Sequence, residues 1–225
     1  MTDNRYYAVL TGDVVGSRRL GAKERQRLLA ALTEAGEELQ GRYSQSVPYT
    51  PEIFRGDGWQ FLTTDPAGSL RQGLYYRSLV KAKMGSTHID TRFCLGLGSI
   101  NFLPPEGPSA GAGQAFNLSG QGLDEMEKQT YLAIQFPPEF DPDMAISLRA
   151  IGWLIDRLAQ GWTGRQALAV SGALLDLTQT RIAEETFDGQ VTQQAVAQHL
   201  ASAGWAALQF GLVAFEAVLP HHLPQ

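Results

Sequence analysis

Two aspartates sit where metal-assisted phosphate chemistry would need them. Asp13 follows the apolar and aromatic run Tyr6-Tyr7-Ala8-Val9-Leu10 after Thr11-Gly12, and Asp57 is the centre of Gly56-Asp57-Gly58, between Glu52-Ile53-Phe54-Arg55 and Trp59-Gln60-Phe61-Leu62. A buried strand that stops at Thr-Gly-Asp delivers a carboxylate to its end, and two short runs around Gly-Asp-Gly predict a β-hairpin with Asp57 at its tip. If those strands are neighbours in one antiparallel sheet, the carboxylates become neighbours too. Mg²⁺ takes one or two carboxylates and draws its remaining ligands from water and substrate phosphates, so two Asp side chains suffice for a Mg or Mn site. Such a site stabilises the attacking and leaving oxygens of phosphoryl or nucleotidyl transfer. After Asp13, the segment Val14-Val15-Gly16-Ser17-Arg18-Arg19 offers backbone N–H groups, a hydroxyl and two guanidiniums to a polyphosphate. Gly12, Gly56 and Gly58 let the backbone approach a ligand closely. Each feature also has a plainer reading: Asp-Gly turns are common, and Arg18 and Arg19 before a helix can be a solvated face.

The elements that must position these residues follow from periodicity. Leu28, Leu32, Ala35, Leu39 and Tyr43 recur every three or four positions, which predicts an amphipathic helix over 22–43 covering a sheet. A second helix is expected over 66–84, with Leu70, Leu74, Leu79 and Val80 as its buried stripe. Residues 92–102 predict a central strand, 104–114 a mobile Pro/Gly-rich loop, 115–128 a helix and 130–134 a further strand. The order is β, α, ββ hairpin, α, β, α, β: an α/β (α+β) domain over 1–137. Pro137-Pro138-Glu139-Phe140-Asp141-Pro142 then marks a boundary, beyond which only helical patterns occur, over 143–225.

The 225 residues carry 44% hydrophobic and 18% charged residues and a net charge of −5, ordinary values for a globular chain. Residues 1–137 hold 14 Lys and Arg against 14 Asp and Glu, and 138–225 hold 4 against 9. A single cysteine, Cys94, excludes a disulfide within one chain and a Cys-x-x-Cys metal site; within Phe93-Cys94-Leu95 it is expected to be a small buried hydrophobe. His88, His199, His221 and His222 show no metal-ligand spacing, and the last two are expected to be disordered. No secretory signal precedes the first strand pattern, and the apolar stretch 208–219 is interrupted by Glu216 and too short to span a bilayer. The expectation is a soluble, cytoplasmic protein with no membrane partner.

Four motifs together, Gly12-Asp13-Val14-Val15-Gly16-Ser17-Arg18, Arg55-Gly56-Asp57-Gly58-Trp59-Gln60, Leu95-Gly96-Leu97-Gly98-Ser99-Ile100 and Ala115-Phe116-Asn117-Leu118-Ser119-Gly120, resemble the bacterial SatD family, which is similar in turn to the class III nucleotidyl cyclase and GGDEF palm. The resemblance implies a ferredoxin-like palm followed by a small all-helical or winged helix-turn-helix domain, and a homodimer. It implies metal on Asp13 and Asp57 and a nucleotide whose ribose Asn117 orients at a dimer interface; with the residues after Asp13 and in the hairpin, the expected purine nucleotide site is Val14, Gly16, Ser17, Arg18, Arg55 and Asn117. Read from the residue alone, Asn117 is equally a helix-start residue bonding its own backbone. Where the cyclases place a transition-state arginine, this chain has Gln121, and such an arginine is worth about 10³ to 10⁵ in rate. No residue is therefore assigned a catalytic role. The leading expectation is a metal-dependent purine nucleotide sensor with a regulatory role; the alternatives are a nucleotidyl cyclase or related transferase acting on ATP or GTP, and a DNA-binding regulator with a degenerate palm.

In the C-terminal part, Ile182, Ala183, Val191, Ala195, Val196 and Leu200 have the spacing of two short helices packed across a turn. The second would present Thr192, Gln193, Gln194 and Gln198 to DNA. Glutamine can read adenine edges, but between 177 and 205 the only Lys or Arg is Arg181, and DNA affinity depends on cations at the phosphates. A dimerisation or partner-docking element is the stronger expectation.

Overall fold

The structure, a computed structural model, describes residues 5–85, 88–103 and 107–223. Five strands form one sheet: β1 (Tyr7–Val15), β2 (Glu52–Phe54), β3 (Gly58–Thr63), β4 (Asp90–Gly98) and β5 (Leu132–Gln135), in the order β2-β3-β1-β4-β5. β1 lies at the centre, antiparallel to both β3 and β4, and β5 joins β4 in parallel. With α1 (Ala22–Arg42) after β1 and α2 (Ser69–Met84) after β3, the first four strands have the βαββαβ order of a ferredoxin-like palm. A crossover through α3 (Gln114–Asp124) adds β5, as a parallel connection requires.

Alternation along β1 sorts the sheet's faces. Leu10, with Phe61, Phe93 and Leu95, belongs to the large core under α1 and α2, whereas Val9 and Leu62 pack with Ala115 and Phe116 of α3 on the other face. Gly96 makes that second layer possible: a Cβ there would lie 2.4 Å from the Ser119 nitrogen and 2.5 Å from the Ala115 carbonyl oxygen.

Beyond the sheet come α4 (Pro142–Gln160), α5 (Gly164–Leu174), a single α-turn α6 (Gln179–Arg181) that runs into a π-helical turn at Ile182–Thr186, α7 (Gln193–Ser202) and α8 (Trp205–Val218). Asp141 caps α4 and Thr192 caps α7, accepting the N–H of Met144 and Ala195 respectively. These helices share one continuous apolar core with the sheet, in which Leu132 and Ile134 of β5, Leu148 and Ile155 of α4, Val170 of α5 and Phe215 of α8 are all buried.

A buried ionic cluster ties the two halves. Arg77 of α2 donates to both oxygens of Asp90 on β4 (3.0 and 2.9 Å) and to Asp156 of α4 (2.8 Å). Lys81 donates to Asp90 (2.7 Å) and to the carbonyls of Ala159 and Gln160, while the Tyr131 N–H and the Gln160 amide complete Asp156. Burial alone would raise the Asp90 carboxyl; Arg77 and Lys81 outweigh it and hold it below the usual carboxylate range. Nearer the surface, Arg71 of α2 grips Glu216 of α8 through two nitrogens (2.6 and 3.0 Å).

Several expectations need correction. The predicted 92–102 strand is Asp90–Gly98, because the chain turns away at Ser99 to pair Phe102 with Ala112 in an isolated bridge. That bridge and a 3-10 turn at Pro108–Ala110 give the supposed mobile loop defined structure on both sides of 104–106, which lie outside the described residues. His221 ends a 3-10 turn with its side chain exposed and His222 lies 6.4 Å from the Phe140 ring, so the terminal pair is ordered rather than disordered. Asn117 lies inside α3, whose N-cap is Gly113, so it is not a helix-start residue.

Candidate functional site

Asp13 and Asp57 lie at the ends of neighbouring strands, but their carboxylates go to different partners: Asp57 lines a cleft beside α1, and Asp13 is held by Arg92. The last β1–β3 pair is Gly12 with Trp59, so Asp13 comes one residue after it on β1 and Asp57 two residues before it at the hairpin end. Adjacent strands lie about 4.7–4.9 Å apart, which places the two backbones side by side. The hairpin turn is Arg55-Gly56-Asp57, with φ of 53° at Arg55 and 88° at Gly56. Glycine relieves the second of these left-handed positions, and Arg55 occupies the first with its side chain exposed.

The segment after β1 folds back to meet that tip. Gly16, at φ 86°, turns the chain out of the strand, and Ser17–Arg19 form a 3-10 turn before α1. The Ser17 hydroxyl then donates to Asp57 Oδ2 at 2.5 Å. This bond closes the head of a cleft of about 380 Å³ edged by the guanidinium-bearing Arg18, Arg25 and Arg55, with Leu28 and Leu29 of α1 as its apolar wall. Arg25 is steadied by its Nε bond to the Leu20 carbonyl (3.0 Å). Three guanidiniums against one carboxylate favour an anion.

Asp13 is held differently. Its two oxygens accept Nε and Nη2 of Arg92 at 2.7 and 2.8 Å, across the directly opposed β1–β4 pair. The carboxylate in turn raises the Arg92 guanidinium above its ordinary pKa. Beneath them, Trp59 Nε1 donates to Thr91 Oγ1 (2.6 Å) and Thr91 Oγ1 donates to the Asp13 carbonyl (2.9 Å), a chain that fixes the Asp13 backbone from both neighbouring strands.

The other candidates separate from this centre. Val14 turns its side chain into the core and does not line the cleft. Asn117 and Gln121 lie one turn apart on the exposed side of α3, opposite the buried Ala115, Ser119 and Gly122, and neither lines the cleft. Cys94 is buried under α3, and burial pushes its thiol up to about 12. Arg25 and Arg92 escaped the sequence reading. Arg25 could have been seen as the charged position one turn into α1; Arg92 required the β1–β4 register.

No protein-family model matches the chain, and no curated protein is similar to it. Among solved structures it is similar to the crystal structure of the guanylyl cyclase Cya2, at 16% identity over 58% of this chain and 74% of that one, with a TM-score of 0.41. The palm assignment rests on the strand order and register.

In the C-terminal helices, Thr192 spends its side chain on capping α7, and the Gln193 amide donates to Gln179. Gln194 and Gln198 are exposed, but Arg181 is engaged by both oxygens of Glu185 (2.7 and 3.2 Å). The segment thus presents no free guanidinium to a phosphate backbone. No single helix among the described residues is long and apolar enough to cross a membrane.

Proposed function

We propose that this chain is a metal-dependent purine nucleotide-binding protein with a sensing rather than a catalytic role. The observation that carries the reading is the Ser17–Asp57 hydrogen bond, which joins the turn after β1 to the hairpin tip and closes a cleft edged by three arginines. The motifs that resemble the SatD family, 12–18 and 55–60, supply most of that cleft.

The donor set suits a hard divalent cation that arrives with phosphates. Among the described residues no three of His, Cys, Asp and Glu gather into a self-sufficient metal site. Asp57 and the Ser17 hydroxyl would hold Mg²⁺ or Mn²⁺, with Asp13 joining once Arg92 yields an oxygen. The cation would neutralise phosphate charge. Arg18, Arg25 and Arg55 bind the remaining phosphate oxygens, and Leu28 and Leu29 offer the apolar wall against which a purine can lie. A sensing role is favoured by Gln121, a neutral amide where the cyclases place an arginine, and by the pairing of Asp13 with Arg92.

The test is calorimetric titration of ATP and GTP, with Mn²⁺ and without, into the wild type and into Asp57→Ala and Arg55→Ala, alongside chromatography of the incubated triphosphates. Metal-dependent binding that weakens about 10- to 100-fold in each variant, the value of one charge-assisted contact, with the triphosphate unchanged, supports the reading. A cyclic or oligomeric product would make the protein an enzyme, and binding indifferent to both substitutions would remove the cleft from consideration.

A further inference from the structure

The outer face of α4 is apolar at its centre and oppositely charged at its ends. Ile146, Trp153 and Leu154 are 64%, 54% and 59% exposed, with Ala150 between them and Asp143 and Arg157 at the two ends of the same face. Beside it, α8 adds Phe210 and Val213, 79% and 52% exposed. Large apolar side chains this exposed and this clustered mark an interaction surface. The Arg149 side chain bonds the Ile134 carbonyl and so covers part of the neighbouring β5 edge, which leaves the helix face as the open surface.

The spacing selects the occupant. Residues at equal distances on either side of Ala150 are complementary in kind: Asp143 answers Arg157, and Ile146 answers Leu154. Two copies of one helix crossing antiparallel about Ala150 would therefore set Asp143 of each against Arg157 of the other, twice, and seat Ile146 on Leu154, twice. A two-fold interface is made of the same patch on both subunits, so self-complementarity of this kind is its signature. The small Ala150 side chain at the crossing point permits close approach of the two axes. The span from 143 to 157 is about 21 Å at 1.5 Å per residue, enough for a continuous helix-helix contact. Arg157 is also available, its bond being to the Gln160 amide and not to an acid.

We infer that the protein forms a two-fold homodimer through α4, antiparallel about Ala150, with Asp143–Arg157 ion pairs at both ends and Phe210 and Val213 flanking the contact. This surface is separate from the nucleotide cleft and does not rest on that reading.

The experiment is sedimentation velocity of the full chain across a concentration series, with circular dichroism to check folding. The wild type is expected to be a dimer and Leu154→Glu a folded monomer. D143K and R157E should each weaken the dimer roughly tenfold, and the double variant D143K/R157E should recover it, because each ion pair is rebuilt with reversed sign. Ala150→Cys should form a disulfide-linked dimer under mild oxidation, since Cys94 is buried and the new thiol is the accessible one. A wild type that stays monomeric at 100 μM, or a dimer that survives Leu154→Glu and does not cross-link through position 150, overturns the inference; the first of these would leave the face to a different protein.

Discussion

The carboxylate of Asp13 accepts one Arg92 N–H on each oxygen, so a cation binding there would meet the guanidinium's full positive charge beside it. Arg92 is therefore a competitor for whatever metal this site takes, and removing it should help binding. Arg92→Ala is expected to raise Mn²⁺ affinity in the presence of nucleotide by roughly tenfold, since a full positive charge within about 4 Å is withdrawn; titration followed by the electron spin resonance of free Mn²⁺ measures it. A fall in affinity would instead make Arg92 the group that positions Asp13. At Gly16 the constraint is steric: its φ of 86° suits glycine, and a Cβ would lie 2.7 Å from the His88 carbonyl oxygen. Gly16→Ala should cost about 1–3 kcal/mol in urea unfolding. Asp13, Asp57 and Ser17 were legible in the sequence because strand ends, Gly-Asp-Gly tips and post-strand turns carry local signatures. Arg92 was not, because its role depends on which residue of β1 it faces, and nothing near it in the chain records that register.

At the scale of elements, α2 governs the architecture. Periodicity showed its Leu70, Leu74, Leu79 and Val80 stripe, as for a helix covering one face of a sheet, yet Arg77 and Lys81 on its other side are buried as well. A helix with charges on one side ordinarily turns them to water. Here α4 and α5 cover that side, and Asp90 and Asp156 satisfy the charges, a pairing that joins residues 79 positions apart and leaves no local pattern. Breaking it from one side should be severe. Arg77→Met leaves two buried carboxylates without their shared partner and is expected to cost about 3–5 kcal/mol, read from urea unfolding at neutral pH. The pH dependence has a definite sign. Because Asp90 has a lower pKa folded than unfolded, its contribution is complete above about pH 4 and is lost as pH falls through the folded value. The wild type should therefore lose stability on acidification below that range, and Arg77→Met, whose Asp90 lacks its main counter-charge, should unfold at a higher pH. An acid transition identical in both proteins would mean that the cluster does not set it.

The whole molecule is less divisible than its chain suggests. Prolines at 137, 138 and 142 mark a change from mixed to helical structure, and the sequence read them as a boundary between domains over 1–137 and 143–225. Prolines record where regular structure stops, however, and not where the core stops. Phe136 and Phe140 stack across that turn at 4.4 Å between ring centroids, Gly152 of α4 lies against Ile134 and Leu132 of β5, and Gly164 of α5 approaches the end of α2 at Gly85. Cutting after Pro137 would uncover the outer side of α2 and leave Arg77 and Lys81 without Asp156, Ala159 and Gln160. Each large apolar side chain so exposed forfeits about 1.5–3 kcal/mol, and a domain has only about 5–15 kcal/mol in hand. The fragment 1–137 is therefore expected not to fold cooperatively alone, and adding 138–225 as a separate chain should restore a folded complex, which thermal melting followed by circular dichroism and size-exclusion chromatography of the mixture would show. A sharp melt of 1–137 by itself would instead establish the palm as an independent domain and demote the buried cluster to an ornament of the interface. If the halves fold only together, a change at the cleft beside α1 and a change at the α4 face act on one core, and any ligand that binds the cleft raises the melting temperature of both halves in a single transition.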